Sequence, residues 1–259
     1  MRRGLAVIGV VAIVAAVAIA WVAWPRGTTP VDDQAARAAL REELADAPAP
    51  AATEPGTLEP GAYPYRAEGD ETVRLGALPE QHRVLPPELT GLVAPAGDGC
   101  FQLSLDRFQE HTESTTLCTD GEGVRLAEHR KTQSVGALSP EMVMRCEPDV
   151  LVSPDAQRVE LQCHLEVSGG PMGITVDLPA TATRGEPEEV RVGDGTVQAV
   201  PVLLELVASG SVEGTWSEHL WLEATTHLPV RIERALDLRG PVSFREDSTL
   251  VLESLRPQR

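Results

Sequence analysis

Residues 158–167 alternate without interruption: Val159, Leu161, Cys163, Leu165 and Val167 interleave with Arg158, Glu160, Gln162, His164 and Glu166. Side chains of an extended chain point to opposite faces in turn, so this pattern belongs to a strand with one face in a core and one in water. The same period recurs. Phe101, Leu103 and Leu105 alternate with Gln102, Ser104 and Asp106, and Val230, Ile232, Leu236 and Leu238 share one phase. Residues 216–223 and 249–255 read as further strands. Turn signals separate these runs at Asp98-Gly99, Asp120-Gly121, Asp194-Gly195 and Ser153-Pro154-Asp155-Ala156. Glycine reaches the positive φ that tight hairpin turns demand. Long amphipathic helical patterns are absent after Gly61. The expected fold is mainly β, one antiparallel domain over residues 61–259 with little helix.

The cysteines sharpen this expectation. Four occur, at positions 100, 118, 146 and 163. If Pro154-Asp155 forms a two-residue loop, Ser153 faces Ala156, and counting outward sets Cys146 opposite Cys163. Met142, Met144, Val150 and Val152 share the phase of Cys146, so this pair points to the apolar face. Cys100 and Cys118 bracket a second hairpin turning near Phe108 to Glu110, in phase with polar neighbours. Matching phases favour bridges 100–118 and 146–163, as suits an oxidising compartment. Zinc is the alternative ligand, but the spacings contain no C-x-x-C knuckle.

Residues 5–24 are twenty uncharged, apolar positions behind Arg2 and Arg3, with Trp21 and Trp24 at the far end. At ~1.5 Å per residue they cover ~30 Å as a helix, the thickness of a bilayer core. The positive-inside rule leaves residues 1–4 as a cytoplasmic stub and the domain outside. Ala18-Ile19-Ala20 offers a cleavage site, so secretion after cleavage stands as the alternative to a single-pass anchor. Residues 25–60 read as a linker or stalk with a short helix near its start. Its Ala/Pro-rich second half is extended and would hold the domain off the membrane.

Charge excludes several classes. The net charge is −17, and aromatic residues make up only 3% of the chain. An acidic, aromatic-poor surface repels phosphate backbones and lacks stacking platforms, so no nucleic-acid partner is expected. The six histidines form no H-E-x-x-H, and neither a nucleophile elbow nor a phosphate-binding loop is present. Glu110-His111 with Ser114 is a chance triple in a chain rich in these types. No catalytic residue, metal or cofactor is expected, and the protein reads as a non-enzyme.

The layout also carries a resemblance. The anchor, Gly61-Ala62-Tyr63-Pro64-Tyr65 with Gly69 and Glu71, Gly99-Cys100, Leu117-Cys118 and two later cysteines resemble uncharacterised membrane-anchored proteins of actinobacteria. The C-terminal stretch Gly214-Thr215-Trp216, Leu220-Trp221-Leu222, Thr226 and Leu228-Pro229-Val230-Arg231 is similar to a hairpin of the LolA/LppX-like group of lipoprotein carriers and RseB-type proteins. That resemblance implies a single curved antiparallel sheet, a half-barrel whose concave apolar face is plugged by helices. Together with the strand pattern and the Met142/Met144 pair, it points to a binding module for a lipid or another hydrophobic envelope component, and the expected lining is Met142, Met144, Leu161, Leu165, Trp216 and Trp221. The competing expectation is an envelope interaction or sensor domain that holds no small ligand and meets a protein partner. An enclosed apolar cavity of several hundred Å3 is what separates the two. The oligomeric state is left open.

Overall fold

The structure, a computed structural model, describes residues 29, 31, 58–77, 79–97, 99–121, 123–134, 138–169 and 173–258. The span read as a membrane anchor, the stub before it and nearly all of the linker lie outside these residues. Among the described residues no helix is long and apolar enough to cross a membrane.

Fifteen strands are formed by the described residues: β1 (Gly61–Leu75), β2 (Gln81–Val84), β3 (Glu88–Pro95), β4 (Cys100–Leu105), β5 (His111–Asp120), β6 (Gly123–Gln133), β7 (Glu141–Glu147), β8 (Val150–Val152), β9 (Arg158–Ser168), β10 (Ile174–Arg184), β11 (Glu188–Val192), β12 (Gly195–Ala208), β13 (Glu213–Glu223), β14 (Pro229–Arg239) and β15 (Val242–Leu252). Twelve of them make the wall of a closed barrel. Running round it, β1, β3, β4, β5, β6, β7, β9, β10, β12, β13, β14 and β15 are each antiparallel to the next, and β15 returns to β1. The remaining three attach to the wall: β2 to β1, β8 to β6 and β11 to β12.

This corrects the half-barrel expectation. Closure comes from two pairings that local pattern does not reveal. One joins β1 to β15 from Tyr65↔Leu252 to Leu75↔Val242, and the other joins β10 to β12 from Ala180↔Leu206 to Arg184↔Val202. Both satisfy backbone groups that an open sheet would leave bare at its edges. The lumen is filled by wall side chains, and no plugging helix occurs among the described residues.

Both disulfides form as the strand phases indicated. Cys100 lies directly opposite Cys118, and Cys146 opposite Cys163, with Cα atoms 3.9 Å and 3.8 Å apart. The route between Cys146 and Cys163 differs from a simple hairpin. After Glu147 the chain leaves β9, and Val150 and Val152 pair with Arg125 and Val124 of β6 instead. The register counted from Pro154-Asp155 holds although the hairpin tip is diverted. At the β11–β12 turn the two loop residues are Gly193 and Asp194, not Asp194 and Gly195, because Val192 pairs with Gly195 and Gly193 takes φ 57°.

Within the segment read as a stalk, Thr29 is fixed to the barrel. Its amide donates to the Glu110 carboxylate at 2.9 and 3.1 Å, and its carbonyl accepts from the Gln109 amide at 3.0 Å. Burial alone would raise the Glu110 carboxyl, but the bonds from Thr29 hold it below its usual range.

Candidate functional site

The lumen has two kinds of lining. From β7, β9, β10 and β12 it receives Met144, Leu161, Cys163, Leu165, Val176, Leu178, Leu204 and Leu206, all buried. From β1, β2, the β4–β5 connection, β5, β6, β13, β14 and β15 it receives charge. Among the described residues four buried carboxylates, Glu71, Glu113, Glu218 and Glu246, meet four buried cations, Arg83, Arg107, Lys131 and Arg234. Lys131 is the only lysine of the chain. Formal charge inside the barrel therefore cancels, whereas the whole chain carries −17.

Glu71, Glu113 and Glu246 are matched by bonds that cross the lumen, and Glu218 by Arg234 on the neighbouring strand. Glu246 on β15 accepts from Arg107, from Lys131 at 3.2 Å and from the Ser248 hydroxyl at 2.7 Å, and Arg234 lies 3.5 Å away. Glu113 on β5 takes a two-pronged contact from Arg234 on β14 at 2.7 and 2.8 Å. Arg234 also donates to Glu218 at 2.8 Å. Glu71 on β1 accepts from Arg83 at 3.1 Å and Gln133 at 3.0 Å, and its second oxygen lies 2.5 Å from His111 Nδ1. Glu71 and Glu246 sit directly opposite in the β1–β15 ladder. Two like charges at that spacing repel, and these are held by separate sets of cations.

The electrostatics follow. Burial raises the Glu113 carboxyl, but Arg234 and Arg107 outweigh it and hold it well below the ordinary range. Glu246 is lowered in the same way by Arg107, Lys131 and Arg234. Burial would raise Glu71 too, and His111 and Lys131 reverse it. His111 is pushed down to about 4, first by burial and then by Lys131, against the pull of Glu71. His129 is lowered by burial as well; its Nδ1 lies 2.9 Å from the Thr115 hydroxyl and its ring meets Trp216 edge-on. Both histidines are therefore neutral at pH 7. Ser114 lies three residues from His111 and so on the opposite face, while Glu110 binds Thr29, so the triple His111, Glu110 and Ser114 is not assembled.

Among the described residues two hollows mark the ends of the barrel. At the end of the barrel where β1 and β14 finish and β15 begins, an apolar hollow of ≈ 40 Å3 is lined by Leu75, Met142, Leu165, Val212, Leu238 and Val242, among others. A larger hollow of ≈ 490 Å3 lies at the opposite end, open to solvent and mixed in character, with Tyr63, Glu59, Glu223, Thr226 and Arg256 on its walls. The Tyr63 hydroxyl there donates to the Glu59 carbonyl at 2.6 Å, and burial followed by Glu59 raises its pKa to about 12.

The six residues predicted to line a lipid site divide. Met142 and Leu165 share the small hollow, and Met144 pairs with Leu165 across β7 and β9. Leu161 is four residues further along β9, in the packed core. Trp216 faces the lumen beside His129 and Arg234, on the charged side. Trp221 lies on the outer face of the same strand, because five residues of a strand reverse the side. There it donates to Glu188, carries Arg231 4.8 Å over its ring and stacks on His219 at 3.7 Å. The structure does not bring Trp221 together with the other five.

The charged network went unread in the sequence, yet it left a signal. Arg234 occupies the same phase as Val230, Ile232, Leu236 and Leu238. Glu246 does so between Phe244 and Leu250, Glu71 beside Val73, and Glu218 between Trp216 and Leu220. A charge in the apolar phase of a strand marks a partner across the core, since burial without one is prohibitive.

No known protein-family model matches the chain, and no curated protein does. Among solved structures the chain is similar to the crystal structure of the hypothetical lipoprotein YmcC from Escherichia coli (K12), at 13% identity and a TM-score of 0.36, with 88% of this chain and 100% of that chain covered.

Proposed function

We propose that the protein is a non-catalytic, membrane-tethered interaction domain of the cell envelope that works through its outer surface and holds no ligand in its lumen. The observation that carries this reading is the filled interior. Pockets for small apolar ligands measure roughly 300–1,000 Å3, and the apolar hollow here is ≈ 40 Å3. The remaining lumen is occupied by core side chains and by ion pairs that tie opposite walls together. His111 and Glu71, the closest acid–base pair inside the barrel, are both fully buried, which leaves a substrate no approach. Two disulfides fit an oxidising, extracytoplasmic compartment, and residues 5–24 supply the tether.

The lipid-carrier reading requires the hollow at Met142 and Leu165 to widen many-fold, which would part walls that the ion pairs hold. Native mass spectrometry of the purified full chain, with uptake of a fluorescent fatty acid as a second readout, tests the choice. The expected result is protein without lipid and no uptake. One bound lipid per chain, recovered reproducibly, overturns it.

A further inference from the structure

We infer that the barrel end bearing the small apolar hollow rests on the outer leaflet of the membrane that holds residues 5–24; the inference rests on the tethered reading above. It starts from Thr29. Four residues separate it from Trp24, the last residue of the apolar run, and the five steps between them reach at most about 18 Å even when fully extended. Thr29 is clasped by Gln109 and Glu110 in the β4–β5 connection. That connection lies at the hollow's end of the barrel: the Glu110 carbonyl accepts from Ser134, next to Gln133, which lines the hollow. The chain therefore leaves the bilayer and is captured at once by this end. Residues beyond Thr29 cannot act as a spacer, whatever their length.

The two ends differ in a way that suits this orientation. The far end exposes Asp120, Glu147, Asp155, Glu186, Glu188, Glu189, Asp194 and Glu253 against Arg125, Arg158, Arg191 and Arg256, an excess of acid. Around the hollow the exposed charges are fewer, Glu80, Glu166 and Glu213 against Arg74 and Arg239, the last paired with Asp237, and Ala77, Leu138, Gly210 and Pro241 are exposed between them. Anionic head groups repel the more acidic far end more strongly than the end at the hollow. The rim residues Leu75, Val167 and Val242 are only partly buried, so contact with lipid removes apolar surface from water. The occupant of this face is the bilayer surface, not a lipid drawn into the lumen.

The test uses the full chain in vesicles of phosphatidylcholine and phosphatidylglycerol, some carrying a spin label on the head group. A fluorophore is attached at Leu138→Cys on the near end or Asp155→Cys on the far end. Strands of this length set the two probes roughly 30 Å apart, so quenching is expected to be about threefold or more stronger at the near probe. A Gly/Ser insertion of about ten residues between Arg26 and Gly27 should erase the difference. The same insertion between Pro50 and Ala51 should leave it. Equal quenching at both probes, stronger quenching at the far one, or the same response to both insertions overturns the inference. So does mass spectrometry showing that the chain expressed in full is released from the membrane by cleavage of residues 5–24. Lipid uptake is a separate readout, so the lumen reading and the orientation fail independently.

Discussion

Two arcs of one lumen are equally buried and oppositely made. The arc from β7 through β12 is lined by Met, Leu, Val, Ala and a half-cystine, and its fit is a matter of volume. The arc from β13 through β6 carries Glu246, Arg234, Glu71, His111, Glu113 and Lys131, and its fit is a matter of pairing. An apolar lining gains stability from leaving water and tolerates small misfits. A charged one gives up a large desolvation energy and is tolerable only when every partner is present. The comparison teaches that closure of this barrel has a specific part: the ion pairs connect β5 and β6 to β14 and β15 across the lumen.

The sharpest way to break the comparison is to remove one charge. Glu246→Leu leaves Arg107, Lys131 and Arg234 around an apolar side chain. A loss of about 3–5 kcal/mol is expected, measured by urea unfolding followed by near-ultraviolet circular dichroism. A loss under about 1 kcal/mol would mean the charged arc is not energetically special. Acid is the next probe. His111 is neutral in the fold down to about 4, whereas an unfolded histidine takes up its proton near 6.5. Between those values the unfolded chain binds more protons, so stability is full above pH 6.5 and falls as pH drops toward 4, by up to about 3 kcal/mol. The lowered carboxyls of Glu113 and Glu246 extend the loss to lower pH. His111→Gln should flatten the slope within the window, and an unchanged slope removes His111 as its source.

On the apolar arc, Leu178→Ala should cost about 2–4 kcal/mol through the lost methyls and the cavity. Its cost should not vary with pH between 4 and 7, and a pH-dependent cost would show the arcs to be coupled. The mildest probe is chemical. Lys131 is the only lysine and is buried 3.2 Å from Glu246, so an amine-acylating reagent should leave it unmodified in the folded protein. Glu246→Leu should admit the reagent faster than Leu178→Ala does, as read by peptide mass spectrometry.

Much of this was legible in advance, and its limits are physical. Parity along a strand is local, so the faces of Leu161, Cys163 and Leu165 and both disulfides could be read from spacing alone. The same parity, applied without exception, separates Trp216 from Trp221 and flags Arg234 among its apolar neighbours. Grouping the tryptophans by residue type rather than by phase obscured both. Glu113 and Lys131 are harder. They alternate with Thr112, Ser114 and Thr132, so neither phase of those stretches is apolar, and the pattern does not say which face is inside.

The sequence by itself determined the most regular strands, the turns marked by Asp-Gly and Pro-Asp, and the pairing of the four cysteines, because these depend on parity along a strand and on neighbours within one hairpin. Only the tertiary structure decided that the sheet closes, that Val150 to Val152 join β6, that Thr29 is clasped at the β4–β5 turn and that charge fills half the lumen. Each of those outcomes joins residues tens to hundreds of positions apart, and a buried charge is stable or ruinous according to partners that no local stretch of chain contains.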